Sequence, residues 1–142
     1  MNNDPFPESA IIQALRKKGY RATSQRIAIS KFALSSREHP SARIIYRKIR
    51  QAHPTVSLAT VYKTLEVLKE LGLVQELSFP DTEAKFDPHM KPHLNMICAK
   101  CGNVQDSEDR SAETIVNAAR RAKFIVTGLR IDVYGLCSKC TR

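Results

Sequence analysis

All four cysteines of this 142-residue chain fall into two identical spacings, Cys98 and Cys101 in ICAKCG and Cys137 and Cys140 in LCSKC. Two intervening residues let both sulfurs of a pair turn toward one ion, and Gly102 eases the tight backbone behind the first pair. Two such pairs supply the four thiolates of a tetrahedral zinc site and leave no cysteine over. Two disulfides, or a rubredoxin-like iron site, use the same residues; a reducing cytosol argues against the disulfides. The segment around the first pair, KFDPHMKPHLNMICAKCGNVQD from Lys85 to Asp106, also carries Asp87, His89, His93 and Asp106. Nitrogen and oxygen donors suited to a harder divalent ion therefore share one stretch with thiolates.

No apolar run approaches membrane-spanning length, and the start MNNDPFPESA lacks the charged-then-apolar layout of a signal peptide. A cytoplasmic protein with no membrane partner is expected. The net charge of +9 is uneven: residues 1–80 hold 13 Lys and Arg against 6 Asp and Glu, and residues 81–142 hold 10 against 8. A basic front half before a nearly balanced, cysteine-bearing back half suits a polyanion reader joined to a regulatory or assembly module.

In the front half, Ser9 is placed to cap a helix with Ile11, Ile12 and Leu15 on its inner face, ending at Lys17, Lys18 and Gly19. Thr23 or Ser24 caps a second helix to about Ser35, with Ala28, Ile29, Phe32 and Ala33 inward. Ser41 caps a third, striped by Ala42, Ile45, Tyr46 and Ile49 and ended by His53 and Pro54. After a brief turn Ser57 opens a fourth to about Leu71, with Leu58, Val61, Leu65 and Leu68 inward, Thr60, Lys63 and Thr64 outward, and Tyr62 at the flank. The last two form a helix-turn-helix whose second member would enter the major groove with its first turn. Arg21, outside the second helix, is within reach of a phosphate or a minor groove. LVQELSFPDTEAKFD then reads as two short strands around a turn at Pro80 and Asp81, a wing.

In the back half, Ser111 or Asp109 caps a helix with Ala112, Ile115, Val116, Ala119 and Ala122 along one side. Phe124 to Tyr134 reads as strand, interrupted near Thr127 and Gly128. A small sheet with an open edge is a ready dimer surface. The expected fold is α+β: an N-terminal winged-helix DNA-binding domain, residues 1–82, and a C-terminal α/β dimerisation domain, residues 83–142, carrying the metal ligands. Acyl or phosphoryl transfer finds no support, since there is neither a glycine-rich phosphate loop nor an evident nucleophile, and no enzyme is expected.

The segments RATSQR, HPSARIIY, SLATVYKTLEVLKELGLV, KFD, HLNMICAKCG and YGLCSKC, in this order and at these separations, resemble the ferric uptake regulator (Fur) family, and within it the peroxide-sensing PerR branch. The resemblance implies a homodimeric repressor of double-stranded operator DNA, with structural zinc on Cys98, Cys101, Cys137 and Cys140. It implies Arg21 as the minor-groove residue and Tyr62 and Lys63 at the major groove; the helix-turn-helix reading adds Ser57 and Thr60 in the first turn of the recognition helix. It also implies a regulatory Fe(2+) or Mn(2+) site on His39, Asp87, His93 and Asp106. Asn95 stands where the family's HxH normally supplies a second imidazole, and His89 is an alternative source of one. An amide oxygen disfavours nitrogen-preferring ions and relatively favours iron(II), manganese or even magnesium. A further metal site of the iron-uptake branch is lacking, for its positions fall on Pro92, Leu94 and Leu129 and only Glu113 keeps a suitable side chain. In the peroxide branch, oxidation of a ligand histidine, here His39 or His93, would release the ion and relieve repression. Two other readings are a sibling regulator that senses iron, manganese or zinc availability without peroxide chemistry, and a small rubredoxin-like or dithiol redox protein.

Overall fold

The computed structural model describes residues 6–107 and 110–142 and divides into two compact units, Met1–Met90 and Lys91–Arg142. In the first, four helices precede a two-stranded wing: α1 (Glu8–Lys17), α2 (Ser24–Ser35), α3 (Ala42–Ile49), α4 (Leu58–Glu70), β1 (Gln75–Leu77) and β2 (Lys85–Asp87). Side chains three residues ahead of the first free amides start three of the helices. Thr23 accepts from the Arg26 amide, Ser41 from that of Ile44 and Ser57 from that of Thr60. For α1 the expected Ser9 cap is not used: the helix begins after Pro7, in extended geometry, and Ser9 is its second residue. Proline there withholds no donor that a helix start could have satisfied.

Helices α1 and α4 stop in the same way. Gly19 and Gly72 take φ of 80° and 68°, conformations costly for any residue with a Cβ. The next amides then reach back, Tyr20 to the Leu15 carbonyl at 3.0 Å and Leu73 to that of Leu68 at 3.0 Å. The core of this unit gathers Leu15, Ile29, Ala33, Ile45, Val61, Leu65, Leu68 and Phe86, all buried. Thr64, expected to face outward, is fully buried. Its hydroxyl donates to the Thr60 carbonyl one turn back at 2.8 Å, which satisfies the polar group and lets the methyl join the core. Tyr62, expected at the flank, is 46% exposed.

In the wing β1 and β2 pair antiparallel, with Gln75 opposite Asp87 and Leu77 opposite Lys85. Because β2 needs β1 for its ladder, residues 83–90 pack with the front unit. An ion pair from Arg43 of α3 to Glu83, at 2.8 Å, meets the wing turn.

The second unit is a three-stranded sheet, β3 (Leu94–Cys98), β4 (Val104–Ser107) and β5 (Ile131–Gly135), with α5 (Ser111–Arg121) between the last two. The order is β4-β3-β5, with β3 antiparallel to β4 and parallel to β5. Helix α5 starts after Arg110 with no side-chain cap; Ser111 is its first residue and Asp109 lies outside the described residues. Ala112 and Val116 are buried, whereas Ile115 and Ala122, expected on the same inner face, are exposed. The last strand is shorter than Phe124–Tyr134, because β3 offers ladder positions only opposite Ile131 to Gly135. Val133, Tyr134, Phe124 and Ile125 are left exposed. No helix among the described residues is long and apolar enough to cross a membrane.

Candidate metal centres and nucleic-acid face

The sheet brings the two cysteine pairs together. Cys98 ends β3, the Ala99 amide donates to the Gly135 carbonyl at 2.8 Å, and Cys137 follows two residues after β5. The four sulfurs lie within 4.8 Å of one another, and all four cysteines are free thiols. Cys101 and Cys137 are 3.8 Å apart. A zinc–sulfur bond of about 2.3 Å implies a tetrahedron edge of about 3.8 Å, so the arrangement fits the ion and is too open for disulfides. Backbone amides tune the set. Those of Cys137, then Cys101 and Lys100, hold the Cys98 thiol down at about 6, because they stabilise its thiolate. The Cys140 thiol is pushed up to about 12, first by its hydrogen bond to the Cys137 side chain, then by burial and the other two sulfurs. One sulfur is thus ready as a thiolate near neutrality, and another must yield its proton to an incoming cation.

The nitrogen and oxygen donors form a pair in each unit. In the first, the Phe86 amide donates to the Pro40 carbonyl at 3.0 Å and Ser41 bridges Lys85, so the segment after α2 adds itself to the wing strand. That pairing sets the His39 Nε2 3.7 Å from Asp87 Oδ1, with both side chains buried. His39 takes a φ of 49°, a sparsely populated conformation for a side-chain-bearing residue, as often found where a functional group must be aimed. Asp87 is oriented further by the His89 amide on Oδ1, at 2.8 Å, and by Gln75 Nε2 on Oδ2, at 3.1 Å. Gln75 also reaches the His89 carbonyl at 3.2 Å, so His89 serves this carboxylate through its backbone.

In the second unit, His93 Nδ1 lies 2.7 Å from the Lys91 carbonyl. A carbonyl only accepts, so Nδ1 carries the proton and Nε2 is the nitrogen left for a ligand. That Nε2 is 3.4 Å from Asp106 Oδ1. Asn95 is 1% exposed, and its Oδ1 has no hydrogen-bond partner among the described residues. A buried imidazole and a half-buried carboxylate beside an unmet amide oxygen suit a divalent cation better than a core. Gln75 and the Asp132 partner of Asn95 escaped sequence reasoning; strand register was the only signal that could have found either.

On the recognition helix, Tyr62 and Lys63 are exposed and Arg21 is exposed ahead of α2. Ser57 and Thr60 bond each other at 2.9 Å, so their hydroxyls shape the helix start and Thr60 is half-buried. Exposed Arg43, Arg47 and Lys48 on α3 and Arg50 at its C-terminal cap add cations that sequence reasoning did not single out.

A winged helix bearing many exposed cations, a four-thiolate centre and two histidine–carboxylate pairs, each with its histidine buried, define a metal-dependent transcription regulator. Residues 17–134 match the Ferric uptake regulator family, and the chain belongs to it. The Peroxide-responsive repressor PerR of Staphylococcus epidermidis (strain ATCC 12228 / FDA PCI 1200) is 38% identical over 130 residues, spanning 91% of this chain and 87% of the relative. Among solved structures, the Campylobacter jejuni peroxide stress regulator is 31% identical with a TM-score of 0.72, covering 92% of this chain and 98% of that one. The Helicobacter pylori ferric uptake regulator shares the fold at a TM-score of 0.81 and 22% identity, over 96% and 95% of the two chains. The family is one of DNA-binding, dimeric transcription regulators rather than enzymes.

Proposed function

We propose that the protein is a repressor that binds double-stranded operator DNA as a homodimer when a regulatory ion is held by His39, Asp87, His93, Asn95 and Asp106, and that peroxide relieves repression by oxidising His39 or His93. The observation that carries the reading is the presence, in each unit, of a buried histidine beside a carboxylate: His39 with Asp87 and His93 with Asp106. The likeness to a protein named as a peroxide-responsive repressor supports the same choice. Ferrous iron held by these residues would supply reducing power toward hydrogen peroxide next to the imidazoles of His39 and His93, with peroxide itself as the oxygen donor and two-electron oxidant.

The chain's own residues account for the rest. Asp87 and Asp106 balance a divalent charge, while neutral imidazoles and the Asn95 amide complete the donor set without burying net charge. His39 and Asp87 belong to the DNA-reading unit and His93 and Asp106 to the other. Drawing ligands from both would couple the units, and DNA binding would gain in proportion to the ion's preference for the DNA-competent arrangement. Cys98, Cys101, Cys137 and Cys140 would hold zinc, joining the end of β3 to the chain end. Arg21, Ser57, Thr60, Tyr62 and Lys63 would face the duplex.

The test is anaerobic loading with iron or manganese, then binding to genomic fragments selected by the manganese form, before and after peroxide. Both metals should promote binding. Peroxide should abolish it only for the iron form, with one oxygen added to peptides containing His39 or His93. Equal binding by metal-free and loaded protein would overturn the reading. Binding that survives peroxide with no added oxygen would leave a metal-availability regulator.

A further inference from the structure

Asn95 sits at the middle of the sheet. On one side it pairs with Asp106 of β4, on the other with Asp132 of β5. Residues opposite one another in a ladder project to the same face, so Asp106, Asn95 and Asp132 form a row across the three strands. The two carboxylates of this row are not equivalent. Asp132 is gripped by Arg130, whose Nε lies 3.0 Å from Oδ1 and whose Nη2 lies 2.9 Å from Oδ2. A guanidinium fork of this kind neutralises the carboxylate and fixes its plane. Asp106 instead faces His93 Nε2.

Between them the Asn95 amide has one electrically sensible orientation. Its Nδ2 donates to Asp132 Oδ1 at 3.2 Å; turned over, it would set a carbonyl oxygen against a carboxylate oxygen. With the nitrogen committed to the β5 side, Oδ1 is turned away from Asp132. That oxygen is buried and unpartnered among the described residues. Such an acceptor is costly in a folded interior unless something positive meets it.

We propose that Arg130 and Asp132 are positioning residues that lock the Asn95 amide so its oxygen serves as a ligand beside His93 and Asp106, tuning the site toward manganese and ferrous iron and away from ions that prefer imidazole. The proposal rests on the regulatory site inferred above. It also gives a role to the grip on Asn95: an imidazole is rigid and strongly basic, whereas a weak amide donor gains most from being held in place.

The test uses the full chain with its thiolate zinc in place, and follows manganese binding by the loss of the free-ion electron paramagnetic resonance signal. Partners behind a ligand typically contribute 10- to 100-fold in metal affinity, so Asp132→Ala should weaken binding about tenfold. In an Asn95→Ala background the same change should have no further effect, because Asp132 acts only through Asn95. Equal losses in both backgrounds, or none in the wild type, would overturn the proposal. Asn95→His should raise cobalt affinity relative to manganese at least about tenfold, following the preference of imidazole; an unchanged ratio would also overturn it. His93→Ala separates the two levels of argument. If it leaves manganese affinity intact, the regulatory-site reading falls as well; if it abolishes binding while Asp132→Ala does nothing, only the positioning role falls. Should Asp132→Ala lose its zinc, Arg130→Met carries the same test with the carboxylate still present.

Discussion

Replacing Asp87 with alanine tests the regulatory site and the wing together, because the carboxylate has separable structural and ligating roles. It is 1% exposed and accepts from the His89 amide and from Gln75 Nε2. Truncation removes the Oδ1 that accepts from the half-buried His89 amide, whereas Gln75 keeps its bond to the His89 carbonyl. A hydrogen bond of this kind contributes about 1 kcal/mol net, so the metal-free front unit should lose about 1 kcal/mol. For a unit of this size that lowers its thermal midpoint by about 4–8 °C. Manganese at a hundred times its dissociation constant should add about 2.7 kcal/mol to the wild type, or about 11–22 °C. If Asp87 is a ligand and its loss weakens binding about a hundredfold, the same manganese concentration adds only about 0.4 kcal/mol to the variant. Asp87→Asn separates the roles: its amide oxygen still accepts from the His89 amide, so the metal-free midpoint drops less, while most of the manganese increment is still lost. Differential scanning calorimetry of zinc-replete protein, with and without manganese, reads all four quantities. An Asp87→Ala increment equal to that of the wild type would refute ligation, and an unchanged metal-free midpoint would refute the hydrogen-bond argument.

Chelating the zinc should unfold the second unit before the first, seen as loss of hydrogen-exchange protection in β3 and β5 while α2 and α4 stay protected. The depressed Cys98 group stabilises the fold fully above the ordinary thiol range and loses that contribution as pH falls from about 9 to about 6; the raised Cys140 group acts oppositely, its contribution fading as pH rises from about 9 to about 12. Ser57→Ala removes the cap of the recognition helix and should cost about 1 kcal/mol in urea unfolding. Lys63→Ala should lower affinity for all duplexes alike and reduce the salt slope of binding by about 1 if Lys63 meets a phosphate; an unchanged slope would place it off the backbone.

What the sequence made legible was chemistry that acts over three or four residues. Thr23, Ser41 and Ser57 cap their helices because the hydroxyl and the amide it accepts from are neighbours in the chain. The cysteine pairs were legible for the same reason. What stayed hidden depended on register between distant segments. Thr64 reads as polar and outward until its hydroxyl is seen to bond the Thr60 carbonyl, and Ile115 reads as inner although only Ala112 and Val116 of its helix face are covered. Strand β5 could not be bounded from its own residues, since its length is set by the five of β3. That register also makes the site's electrostatics intelligible. Asp132 and Asp106 are identical side chains, each opposite Asn95 in the ladder, yet one is neutralised by Arg130, two residues before it, and the other confronts an imidazole. Under the proposed site, the cation beside one of the two aspartates would leave the other to meet an ion, a distinction residue type alone does not carry.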